Sequence, residues 1–177
     1  MSLLLKSLDE KTRNIILDEV NSDINNNRLY LSTRLNAKGK KLYPQLLVKS
    51  IKDGDDSSLA KSLGSYFNAT ETKKNFKGEE DYEAKMSISA PELLAEGEFK
   101  HFYMRALCIL AIGENKKLRI CRVRYSEKPR PKSKMRIGKI VDANKLLIYL
   151  RKLGKHRDNN MYFPPNFGLG IELIDSD

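Results

Sequence analysis

A chain of 177 residues is long enough for one domain with a real core, or for one domain plus an arm. Hydrophobic residues make up 40% and charged residues 32%, and no apolar run approaches the roughly 18 residues of a membrane span, so the expectation is a soluble, highly charged protein with no membrane partner. The net charge of +10 points to acidic or nucleic-acid surroundings.

The first predicted element is a helix over 7–20. Ser7 and Glu10 have the spacing of a capping box, and Leu8, Ile15, Ile16 and Val20 give an apolar face. Residues 21–27 are rich in turn formers, with Ile24 among them. Leu29, Leu31 and Leu35 fit strand or helix. Lys38–Lys41 reads as a turn, followed by a short helix from Tyr43 to Ile51 with Pro44 in its first turn. Asp56 or Ser57 then caps a helix carrying Leu59, Ala60 and Leu63. The aspartates at 53–56 do not make an EF-hand loop. Counted from Asp53, its sixth and twelfth positions fall on Ser58 and Gly64 instead of glycine and glutamate.

Lys77-Gly78 reads as the bend of a hairpin. Tyr82, Ala84, Met86 and Ile88 alternate with polar residues, which predicts a half-buried strand. The longest helical pattern follows, from Ser89 to Gly113. Ser89 and Glu92 form a capping pair, Pro91 suits a first turn and Gly113 a stop. Leu93, Leu94, Phe99, Phe102, Tyr103, Ala106, Leu107, Leu110 and Ala111 cover more than one stripe, so this helix is predicted at the core.

Lys117–Tyr125 reads as an edge strand or one ending at an interface, because its arginines spoil the alternation. Glu127–Lys134 is predicted as a stiff arm, neither helix nor strand, held extended by Pro129 and Pro131. Asp142 or Val141 opens a last helix with Leu146, Leu147, Leu150 and Leu153 inward. Pro164 and Pro165 stiffen the next stretch, Phe163 and Phe167 anchor it, and Leu169–Ile174 closes the chain as a strand. The order predicts an α+β fold: a single mixed domain with a long central helix, a small antiparallel sheet and an α-rich N-terminal third. Residues 1–68 form the helical N-terminal subdomain. Residues 69–177 form the α+β region, with hairpin, central helix 90–112, basic strand and arm 116–139 and extended C-terminal tail.

The charge is localised. Residues 116–139 hold eleven bases against one acid, Glu127, and the rest of the chain holds 22 of each. Lys117, Arg119, Arg122, Arg124, Lys128, Arg130, Lys132, Lys134 and Arg136 are therefore the candidate interface, toward DNA phosphates or toward an acidic neighbouring subunit. Tyr125 is the one aromatic nearby, which gives little support to base stacking.

Catalytic signatures are missing from the sequence. It has no glycine-rich phosphate loop, no G-x-S-x-G and no H-E-x-x-H. Cys108 and Cys121 cannot build a disulfide framework, so reduced, buried thiols in a reducing compartment are expected. Neither they nor His101 and His156 have zinc spacing, and no cofactor or metal is expected. Glu98 and His101 share a helical face, as do Glu92 and Glu96, but dipole effects also draw glutamates to a helix N-terminus. A nuclease with scattered carboxylates leaves weak signatures; its places here are Glu98, Arg119, Arg122 and Lys128.

Four stretches carry a resemblance: LYLSTRLNAKGKKLYPQLL (29–47), LAEGEFKHFYMRALCILAI (94–112), VRYSEKPRPKSKMRIG (123–138) and PPNFGLGIEL (164–173). Together they resemble small proteins of tailed bacteriophages, short-tailed and crAss-like phages among them. The shared pattern is a G-E-F helix (Gly97-Glu98-Phe99), a P-R-P-x-S arm with I-G (Pro129 to Ser133, Ile137-Gly138) and a closing P-N-x-G-L (Pro165 to Leu169). Lys132 departs from it, where an acidic residue is expected, and makes the arm more basic. The resemblance implies a virion structural protein, made in the host cytoplasm. It implies a ring at the portal vertex that links head to tail and adjoins the DNA channel. Its partners would be copies of itself, the portal, neighbouring connector or tail proteins and packaged DNA, bound without sequence preference. Pro129, Pro131, Pro164 and Pro165 would stiffen arms reaching the next subunit. The alternative is a non-structural DNA-binding protein or metal-dependent nuclease.

Overall fold

A single helix, α4 (Ala90–Gly113), runs through the middle of the fold and is buried on nearly every side. The computed structural model describes residues 3–74, 81–125, 127, 130–154, 163 and 168–176. Before α4 come α1 (Glu10–Asn25), α2 (Ala37–Asp53), α3 (Asp56–Leu63) with a 3-10 turn (Gly64–Tyr66), and the hairpin strands β1 (Thr70–Lys74) and β2 (Asp81–Lys85). After it come β3 (Lys117–Arg122), α5 (Pro131–Lys134), β4 (Ile140–Val141), α6 (Ala143–Leu153) and β5 (Leu169–Ile174). The molecule is an α+β single domain with a small antiparallel sheet, ordered β4–β3–β5, and a separate two-stranded hairpin. Among the described residues, no helix is long and apolar enough to cross a membrane.

Helix α4 packs against α1, α3, α6 and the strands β3 and β5. Phe99, Phe102, Ala106, Leu107 and Cys108 are almost fully enclosed, as a helix apolar on most sides requires. Helix α2 lies outside this layer, on α1 and α3.

The core also holds charge. Arg105 is completely buried on α4. It donates to Glu19 through Nε at 2.6 Å and to Asp23 through Nη1 at 2.5 Å, both on α1. Arg151 of α6 also donates to Glu19, with Nε at 3.1 Å, and Arg28 reaches Asp23 at 3.3 Å. Burial pushes the Glu19 carboxyl up, but Arg151 and Arg105 outweigh it and the net shift is down. A second tie lies near the other end of α4, where Arg124 meets the buried Glu96 at 2.9 Å. Beside it, the Leu3 amide donates to Asp56 at 3.2 Å and the Leu4 amide to the Val123 carbonyl at 2.7 Å, which fastens the N-terminal segment.

Several local expectations shift. Helix α1 starts after Asp9, whose carboxylate accepts the Thr12 amide at 2.8 Å; Ser7 instead donates its amide to the Tyr103 hydroxyl. The predicted turn at 38–41 is helical. Asn36 caps α2 by accepting from the Gly39 amide, so Pro44 stands inside the helix and not in its first turn. Gly39 is needed there, because a Cβ would sit 2.5 Å from the Tyr66 carbonyl oxygen. Helix α3 is capped by Asp55 with Ser58, not by Asp56 or Ser57. Ser89 precedes α4 without a side-chain cap and pairs with the Ser87 hydroxyl at 3.0 Å.

Strand β3 is central, not an edge. Leu118 and Ile120 face the core, and Arg119 stands opposite Glu172 of β5 in register and pairs with it. Residues 131–134, expected as extended arm, form the short helix α5 with Pro131 at its start, where a missing N–H costs nothing. Among its described residues the hairpin has no buried side chain; of the half-buried strand expected at 82–88, Ala84 and Met86 are half-buried, but Tyr82 is 50% and Ile88 94% exposed. Its bend at 77–78 lies outside the described residues, as does Phe167; Phe163 is buried as expected.

Arg105→Ala will leave two buried carboxylates short of their cation and cost about 3–5 kcal/mol, measured by urea unfolding at pH 7. Because the Glu19 pKa is lowered in the folded state, its stabilisation is present above the ordinary value of 4.5 and fades as pH falls through the folded value. Tm followed downward from pH 6 will drop less steeply in Glu19→Gln than in the native chain.

Candidate functional site

The predicted basic segment divides in two. Its first half, on β3 and just beyond, is largely neutralised inside the molecule. Lys116 meets Glu114 at 3.1 Å, Arg119 meets Glu172 at 2.9 Å and Arg124 meets Glu96 at 2.9 Å. Lys117 is half-buried at the start of β3. Arg122 is half-buried too; its Nη2 is enclosed without a hydrogen-bond partner among the described residues. Its Nη1 lies beside Gly168, where a φ of +61° would strain any other residue and a Cβ would stand 3.1 Å from the Arg124 carbonyl oxygen.

The second half projects into solvent. Arg130, Lys132, Lys134 and Lys139 are exposed around α5. Arg136 folds back over the buried Phe163 ring, 5.1 Å from its centroid, as a cation over a π face. Apolar side chains are interleaved with these cations: Met135 is 67% exposed, Ile137 43%, Ile140 55% and Tyr125 61%. Pro131 begins α5. Lys128, Pro129, Pro164 and Pro165 lie outside the described residues, so the predicted arms are represented by Pro131 alone.

A cavity of about 380 Å³ lies elsewhere, between α4, α6 and the segment that follows α1. Tyr30, Ser32, Glu98, His101, Tyr149 and Phe163 are among its lining residues. Glu98 and His101 therefore share a wall, as their spacing requires, and both are buried. Lys100 is also buried, and burial, opposed by Glu96, pushes its amine down to about 8. Among the described residues, no group of three His, Cys, Asp or Glu side chains could hold a metal ion. Burial pushes the Cys108 thiol up to about 12 and Cys121 up to about 11; both stay protonated at neutral pH and are poor nucleophiles.

No protein-family model, curated protein or solved structure matches this chain.

Sequence reasoning located the positive segment but missed its internal partition. Glu96 and Glu172 lie far along the chain from the arginines they neutralise, and only the β3–β5 register and the packing of α4 bring them together. It also missed Arg105, which stands in the most apolar helix between Met104 and Ala106.

The two pairs differ in burial, so their loss will differ. Arg119→Ala, which breaks a partly exposed pair, will change stability by less than about 1 kcal/mol. Arg124→Ala leaves Glu96 buried without its cation and will cost about 1–3 kcal/mol. Urea denaturation of both variants measures the difference.

Proposed function

We propose that this protein is a structural component of a tailed-phage virion, a ring at the portal vertex that links head to tail and adjoins the DNA channel, with no catalytic role. The phage assignment rests on the resemblance of four stretches between residues 29 and 173. The observation that carries an assembly role is the exposed stretch that follows α5, where Met135, Ile137 and Ile140 stand in water among arginines and lysines, with Tyr125 exposed just before α5 in the chain. Large apolar side chains gathered at a surface mark sites of protein contact. Tyrosine, methionine and arginine are the residue types enriched there.

A ring is built from heterologous contacts, in which one patch meets a different patch on the next copy. The α5 face supplies one such patch. The edge strands β4 and β5 and the exposed hairpin β1–β2 offer main-chain groups for pairing with a neighbour. The partners on this reading are further copies, the portal and adjoining connector or tail proteins, with packaged DNA passing nearby. The protein then resides in the virion after synthesis in the host cytoplasm.

Quantitative mass spectrometry of purified particles tests the reading. The expected result is a copy number equal to that of the portal. A double variant, Met135→Glu with Ile140→Glu, will fold normally by circular dichroism yet be lost from particles at least roughly tenfold, because buried charge opposes docking. Absence of the native protein from particles overturns the proposal. Duplex cleavage abolished by Glu98→Gln would then support the nuclease alternative.

A further inference from the structure

Helix α2 carries a second positive surface, outside the segment that holds the net charge. Its Lys38, Lys41, Lys49 and Lys52 are all exposed, and Gln45 completes their row. The intervals of three, four, four and three residues place all five side chains on one helical stripe. At 1.5 Å per residue the stripe is about 21 Å long. It lies opposite the face that buries Gly39, Tyr43, Leu47, Ser50 and Ile51 against α1 and α3. None of the four lysines is in an ion pair among the described residues; Lys38 rests above the Tyr66 ring, 5.7 Å from its centroid. Lys40 is exposed off the row, and Asp53, at the last position, is the one acid in the helix.

Four ammonium groups on one rigid rod repel one another, and no ion pair among the described residues neutralises them. A polyanion does. The composition of the stripe selects among polyanions. Protein interfaces are depleted in lysine and enriched in tyrosine, methionine and arginine, and the stripe contains only lysine and glutamine. Single strands are held by aromatic stacking, and α2 exposes no aromatic ring, since Tyr43 is fully buried. A lipid surface is held by apolar side chains opposite or between the cations, and the stripe has none. A duplex backbone needs only a row of flexible point charges, and about 21 Å spans roughly six base pairs at 3.4 Å each.

We propose that α2 is a sequence-neutral binding surface for the phosphate backbone of double-stranded DNA, and that this surface, not the α5 face, makes the chain's contact with DNA. The mixed basic and apolar face around α5 is left for protein. The proposal concerns DNA binding alone and stands whether or not the chain forms a ring. Loss of the ring reading by particle mass spectrometry leaves it untouched, and its own failure leaves copy number untouched.

The test is fluorescence anisotropy of the full chain on a labelled duplex of about two helical turns, with salt varied from about 50 to 200 mM. The variant Lys38→Gln, Lys41→Gln, Lys49→Gln, Lys52→Gln keeps the fold, because every changed side chain is exposed. It will lower the magnitude of the log K against log salt slope by about 3.6, at 0.9 for each phosphate contact removed. The four Lys→Arg changes at the same positions will restore it. The charge-matched control Arg130→Gln, Lys132→Gln, Lys134→Gln, Lys139→Gln will move the slope by less than about 1. Two duplexes of unrelated sequence will bind alike. An unchanged slope in the α2 variant, or an equal loss in the control, overturns the proposal. So does competition by oligo-dT or by phosphatidylserine vesicles that matches competition by duplex.

Discussion

Arg105 is a permanent cation enclosed in the core, and the helical layer is arranged to answer it. A guanidinium out of water is tolerable only where carboxylates meet it in good geometry. Glu19 and Asp23 lie one turn apart on α1 and face it together. Arg151 on α6 shares Glu19, so one carboxylate joins three helices. Apolar surfaces slide past one another at modest cost. Here a slip of α1 by one turn would strand a buried ion, at a cost of several kcal/mol. The cluster thus fixes the register of α1 and α6 on α4, and through α1 the place of α2 on the outside.

The Glu96–Arg124 pair does similar work at the other end of α4. It ties the helix to the chain leaving β3, while Asp56 and Val123 receive the amides of Leu3 and Leu4. The sheet is therefore anchored by charge as well as by Leu118, Ile120 and Ile171. These anchors draw on the same basic segment that gives the protein its net charge. What they consume is lost to the surface, and what remains is displaced toward α5.

That displacement separates two kinds of positive surface. Around α5 the cations are mixed with exposed methionine, isoleucine and tyrosine, which suits a fitted protein contact. On α2 they form a bare lysine row, which suits a long-range field and a backbone of phosphates. A phage ring protein adjoining a DNA channel would use both, the first toward its neighbours and the second toward the duplex. The exposed hairpin, marginal in water as two strands alone, is tied to the rest of the chain by the Arg34–Glu71 pair at 2.7 Å.

Apolar spacing determined the long core helix, the last helix and the closing strand; of the end signals, Asp142 does cap the last helix, whereas the pair read at Ser89 and Glu92 does not form. The α+β class followed from their order. The imbalance of charge at 116–139 was equally legible, being a matter of counting. What only the tertiary structure decided were the features that depend on remote partners. Arg119 and Arg124 read as free cations until β5 and α4 brought Glu172 and Glu96 to them. Residues 38–41 read as a turn, because glycine and lysines carry no apolar signal. The cap at Asn36 and the close packing of Gly39 on Tyr66 made them helix, and so aligned the lysines into a row. The stretch 82–88 alternates like a half-buried strand, yet only Ala84 and Met86 are partly covered while Tyr82 and Ile88 stand exposed. Local pattern reports what a segment could bury; the rest of the chain decides whether anything is there to bury it against.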